Sequence, residues 1–125
     1  MRLLLDSHIV LWWLAGDQRL SDPIRSAIEG ADEVAVSVVS LWELGIKKAL
    51  GKIGFPDDLH AQVAQSGFEW LSIGVEHAQV APTLPVHHSD PFDRMLIAQA
   101  LSEQLAIVTA DRHFAAYDVL LLRSS

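Results

Sequence analysis

Short apolar runs alternate along this chain with stretches in which apolar residues recur every three or four positions. Leu3-Leu4-Leu5 is the first run; Asp6-Ser7 follows, then Ile9, Leu11, Trp12, Trp13 and Leu14, the pattern of a strand entering a helix. Ser21-Asp22-Pro23 opens a second helix with Ile24, Ala27 and Ile28 on one face and Gly30 past its end. Val34-Ala35-Val36 suits a buried strand, and Val38, Leu41, Trp42, Ile46, Ala49 and Leu50 keep helical spacing to Leu50. After turns at Gly51, Gly54 and Pro56, Asp57-Asp58 is placed to cap a helix reaching about Ser66. Trp70 to Ile73 reads as strand three, Glu76 to Ala81 as a short helix and Pro82 to Ser89 as a loop. Asp90-Pro91 starts a helix running to about Leu105. Ala106 to Thr109 is strand four, Asp111 to Tyr117 a helical turn and Val119 to Leu122 a terminal strand. Near-continuous apolar strands separated by helices predict an α/β fold: a mostly parallel sheet with helices on both faces.

The length of 125 residues fits one domain, 1–125, and no repeat or low-complexity stretch divides it. Half the residues are apolar and 20% are charged, which excludes a disordered chain. The absence of cysteine excludes a disulfide scaffold, thiolate metal ligands and thiol catalysis, and suits a reducing cytoplasm. Leu3–Gly16 is apolar but carries Asp6 and His8 and falls short of the ~20 residues of a spanning helix. It is expected to be core, neither signal peptide nor membrane anchor. A net charge of −7 argues against wholesale electrostatic binding to nucleic acid or anionic lipid, so a phosphate-bearing ligand needs a local basic patch or a bridging cation.

In a sheet of this class, ligands bind beyond the carboxyl ends of the strands. Asp6 follows strand one directly, Glu43 lies in the first turns of the helix after strand two, Asp93 opens the helix begun at Asp90-Pro91, and Asp111 stands just past strand four. Each has a plain structural explanation. Asp6 and Asp111 can cap helices, Glu43 can close a capping box with Ser40 or pair with Lys47, and Asp93 can form a box with Asp90. Taken together, however, four separate segments bring carboxylates to one edge, and like charges gathered there need a cation between them. Mg²⁺ or Mn²⁺, with their preference for oxygen ligands, answer that need, and such a site serves phosphodiester hydrolysis.

Four blocks carry a resemblance: Leu4-Leu5-Asp6-Ser7-His8, Val38 to Leu44, His88 to Ala100, and Val108-Thr109-Ala110-Asp111. In this order and spacing the chain resembles the PIN-domain family along essentially its whole length, and within it the bacterial ribonuclease toxins of the VapC type. The resemblance implies a three-layer α/β/α fold, Mg²⁺- or Mn²⁺-dependent endoribonuclease activity, neutralisation by a cognate antitoxin, and a homodimer. It makes Asp6, Glu43, Asp93 and Asp111 the catalytic, metal-holding quartet, with Asp6 and Asp93 the main ligands and Thr109 the hydroxyl beside the site. It further implies hydrolysis by water, leaving a 5′-phosphate and a 3′-hydroxyl.

Several neighbours keep two readings. Asp90 matches the family block but is well placed as a helix cap. Arg94 and Arg112 each follow a quartet acid and can orient carboxylates, reach RNA phosphate, or form surface ion pairs. Lys47, Lys48 and Lys52 form a basic cluster that can bind RNA backbone or be the solvated face of a helix. His8, His87, His88 and His113 fall near the presumed site, although an all-oxygen metal site does not require imidazole. Trp12, Trp13 and Trp42 stand at helical spacings suited to core or to a partner surface. Two other functions fit the fold class: an interaction module without catalysis, and a phosphoacceptor receiver domain. The receiver pattern fails, since no acidic pair follows strand one, nothing acidic follows Ile73 until Glu76, and no Lys occurs after Lys52.

Overall fold

The computed structural model of the chain describes residues 1–87, 89–117, 119 and 121–123. Among these residues five strands, β1 (Arg2–Leu5), β2 (Glu33–Ser37), β3 (Glu69–Leu71), β4 (Ala106–Thr109) and β5 (Leu121–Arg123), form one sheet in the order β3-β2-β1-β4-β5. Every pairing is parallel. Six α-helices accompany them: α1 (Ser7–Ala15), α2 (Asp22–Glu29), α3 (Val38–Ala49), α4 (Leu59–Gln65), α5 (Val75–Val80) and α6 (Pro91–Glu103). Short 3₁₀ turns at Ala81–Thr83 and Arg112–Ala116 complete the described elements.

Strand alternation sorts the core into two layers. Leu3 and Leu5 of β1, with Val34, Val36 and Val108, face Ile9, Val10, Ile24, Ile28 and Val63 of α1, α2 and α4. Leu4, Ala35 and Ile107 point the other way, onto Val39 of α3 and Leu96, Ile97 and Ala100 of α6. Because the central strands are covered on both faces, they need no polar alternation, which is why they read as continuous apolar runs. The fold is the expected α/β class with its three layers.

Some boundaries differ from the sequence reading. Strand three is Glu69–Leu71 rather than Trp70–Ile73, because its register against Ala35–Ser37 ends at Leu71. Helix α6 stops at Glu103: Gln104 takes a left-handed conformation (φ 57°) and turns buried Leu105 into β4. The stretch read as a loop from Pro82 begins with the 3₁₀ turn Ala81–Thr83. Asp57-Asp58 do not cap α4 by hydrogen bonds to its backbone; Asp57 pairs with Lys48 and the Asp58 carboxylate accepts from Gln62.

Candidate metal centre at the carboxyl edge of the sheet

Strand order reverses at β1: it leads into α1 on one face, whereas β2 and β4 on either side of it lead into α3 and the Arg112–Ala116 turn on the other, and the carboxyl ends of all three strands open onto one edge. Asp6 sits there, its backbone tied to β4 by an N–H donated to the Val108 carbonyl at 2.9 Å. Its carboxylate is buried and accepts from the Ser7 N–H at 2.7 Å and from the Thr109 hydroxyl at 2.8 Å. Thr109, fully buried at the end of β4, in turn accepts from the Asp111 N–H at 3.0 Å. One hydroxyl thereby links the acid after β1 to the acid after β4.

Burial pushes the Asp6 carboxyl above its usual range; the Thr109 and Ser7 hydrogen bonds and the nearby His8 oppose the shift, and the Glu43 charge adds to it. Glu43 is buried on α3. Its Oε2 lies 3.3 Å from Lys47 Nζ, while its buried Oε1 has no hydrogen-bond partner. Ser37, not Ser40, caps α3, accepting from the Val39 N–H at 3.1 Å. The expected Ser40–Glu43 capping box is therefore absent, and the Ser40 hydroxyl is buried without a partner. The β2-to-α3 junction has no loop, so the cap falls on the last strand residue, a position that the helical spacing from Val38 onward marks in retrospect.

Asp93 is buried in the first turn of α6. Asp90 caps that helix, accepting from the N–H groups of Phe92 at 2.8 Å and Asp93 at 3.2 Å, so its role as a cap is realised. Asp111 is half-exposed and accepts from the His113 N–H at 2.9 Å, with the His113 ring 2.8 Å away. Arg112 is exposed, His87 packs edge-on against Tyr117, and His88 lies outside the described residues.

Arg94 also has a task in the fold. Its guanidinium donates to the carbonyls of Ala81, Leu84 and Pro85 at 2.9 to 3.0 Å, bracing the segment between α5 and α6. Arg94→Ala is expected to cost about 2 kcal/mol, as charged hydrogen bonds to carbonyls do, and urea unfolding measures the loss. Of the basic cluster, Lys48 holds the Phe55 carbonyl and Asp57, so it serves the fold. Trp12 and Trp13 pack against the core beneath Arg19 and Arg25, whereas Trp42 is exposed, edge-on to Phe92.

The donor chemistry fits a hard divalent cation. It is all oxygen, three of the four acids are buried, and Glu43 presents a buried oxygen without a hydrogen-bond partner among the described residues. Among the described residues, the acids and histidines do not converge in threes at metal-binding distance. The structure thus unites Asp6, Thr109 and Asp111 by hydrogen bonds and sets Glu43 within electrostatic reach of Asp6.

A parallel five-stranded sheet with buried acids at its carboxyl edge defines a class that comparison identifies: the chain belongs to the PIN domain family, whose model matches residues 3–120. Among its relatives is the protein named Ribonuclease VapC22 from Mycobacterium tuberculosis, 32% identical over 118 residues, covering 92% of this chain and 91% of that one. The fold is similar to the crystal structure of VapBC2 from Rickettsia felis bound to a DNA fragment from its promoter (TM-score 0.73, 15% identity, 98% of each chain). It is likewise similar to VapBC-5 of M. tuberculosis, from the VapBC family of toxin-antitoxin systems (TM-score 0.63, 24% identity, 98% of this chain and 99% of that one).

Proposed function

We propose that this protein is a divalent-metal-dependent endoribonuclease, the toxin of a toxin–antitoxin pair, acting on RNA through Asp6, Glu43, Asp93 and Asp111. The observation that carries the reading is a set of three buried carboxylates at the switch-point edge, one with a buried oxygen left unpartnered. Burial of carboxylates costs several kcal/mol, and a cation held between them offsets that cost. Similarity to Ribonuclease VapC22 supports RNA as the substrate, and the likeness to the VapBC structures supports a cognate antitoxin. A second copy of the chain as homodimer partner, and a cytoplasmic setting, belong to the same reading. Among the described residues no helix is long and apolar enough to cross a membrane.

Asp6 and Asp93 would hold Mg²⁺ or Mn²⁺, with Glu43 and Asp111 completing the oxygen set. When bound, the ion supplies an acidified water and neutralises charge on the scissile phosphate. The chain's own contribution is positional. Thr109 and the Ser7 N–H fix both Asp6 oxygens, and Asp90 anchors the turn from which Asp93 projects. Thr109 also holds the backbone of Asp111.

Incubation of the purified protein with a mixed RNA pool tests the reading. Cleavage is expected with Mg²⁺ or Mn²⁺ and none with EDTA, and the fragments should carry 5′-phosphate and 3′-hydroxyl ends. Fragments ending in 2′,3′-cyclic phosphate would exclude hydrolysis by water. A folded protein that binds Mn²⁺ but cuts nothing in a pool of total cellular RNA would favour an interaction module instead.

A further inference from the structure

The helices that bear the buried acids also bear three long cations: Lys47 and Lys48 on α3 and Arg94 on α6. Two are committed to the fold, Lys48 to the Phe55 carbonyl and Asp57, and Arg94 to the carbonyls of Ala81, Leu84 and Pro85. Lys47 differs, because its partner is a quartet acid. It stands 3.3 Å from Glu43 Oε2, and its side chain is 32% exposed against 8% for Glu43. An ordinary i,i+4 pair on a helix surface joins two solvated groups and contributes little. Here the carboxylate is buried and the ammonium is the more exposed partner.

We propose that Lys47 has two positions in the reaction cycle: it neutralises Glu43 in the free protein, and it contacts a phosphate of the RNA once a divalent cation takes the carboxylate. The inference rests on the metal-dependent reading above. A divalent ion held by the unpartnered Oε1 would stand close enough to Lys47 to repel its ammonium and loosen it from Oε2. The flexible four-carbon stem lets the ammonium move while its root stays fixed on α3. A chain of net charge −7 brings a polyanion to an acidic edge, and a cation released there at the moment of metal loading supplies the missing attraction. Lys47 is in this sense a substrate-contacting residue whose availability is set by the metal.

The two halves of the proposal predict effects of opposite sign from one substitution. Lys47→Gln removes the competitor at Glu43 and should tighten Mn²⁺ binding about tenfold, read by calorimetry without RNA. The same variant should raise KM for the cleaved RNA about tenfold with kcat changed less, and should reduce the salt slope of log KM by about 0.7, the share of one phosphate contact on a single strand. Lys47→Arg, which keeps a cation, should stay near wild type in salt slope. Mn²⁺ affinity that is unchanged or weaker in Lys47→Gln, or an unaltered salt slope, overturns the proposal. If that happens while wild type still binds Mn²⁺ and cleaves, the metal-dependent reading stands and only the role of Lys47 falls. A wild type that neither binds Mn²⁺ nor cleaves RNA overturns both.

Discussion

Asp93→Asn and Asp6→Asn are each expected to lower RNA cleavage by roughly a hundredfold or more while leaving the fold intact, since a metal site supplies several kcal/mol of transition-state stabilisation. Asparagine keeps the size of the side chain and one acceptor oxygen but loses the charge that holds a cation. At position 6 the retained oxygen can still accept from the Ser7 N–H, so the entry to α1 keeps its local bond. Single-turnover cleavage rates, with circular dichroism spectra of each variant, separate lost chemistry from lost structure. A folded Asp93→Asn that cuts RNA at the wild-type rate would remove Asp93 from the site. A variant that fails only because it unfolds would assign that side chain to packing.

The second large effect concerns stability and its dependence on pH. The Asp6 carboxyl in the folded protein lies above its ordinary value, chiefly through burial, so the native state binds that proton more tightly than the unfolded chain does. Its contribution to stability is complete below the unfolded value of ~3.9 and is lost as pH rises through the folded value. In EDTA, Asp6→Asn is therefore expected to melt a few degrees above wild type at neutral pH, with the gap closing as pH falls toward 4. Asp17, held down to about 2 by Arg19, Asp32 beside the N-terminal ammonium and Asp57 beside Lys48 shift the other way. They are common to both proteins and cancel in the difference. Melting temperatures of the pair from pH 4 to pH 8 test this; a gap that widens on acidification would reverse the assigned cause.

The parts of the fold that the sequence discloses are those where a local pattern and a global requirement coincide. Leu3-Leu4-Leu5 and Ala106-Ile107-Val108 are apolar throughout because two helical layers cover them, and their placement follows from that alone. Asp6, Glu43, Asp93 and Asp111 stand out because each follows a strand or opens a helix, and strand ends in a parallel sheet share an edge. Features set by tertiary partners are invisible at that level. Choosing Ser37 over Ser40 as the α3 cap depends on a strand and helix joined without a loop. The Arg94 brace depends on where the chain between α5 and α6 passes. Strand three ends at Leu71 because β2 offers no further partner, although the apolar run continues to Ile73.

The hydrogen bond from Thr109 to Asp6 joins residues 103 positions apart, and β1 pairs with β4 across the same span. Contacts of such long range form only after the intervening chain has paid its loop-closure entropy, so they belong to the late, slow part of folding. As the polypeptide emerges during synthesis, Asp6 and Glu43 appear early, while Asp93 and the Thr109–Asp111 turn come in the last third. The acidic edge is thus a property of the finished topology, and a nascent or truncated chain lacking β4 has no means of assembling it.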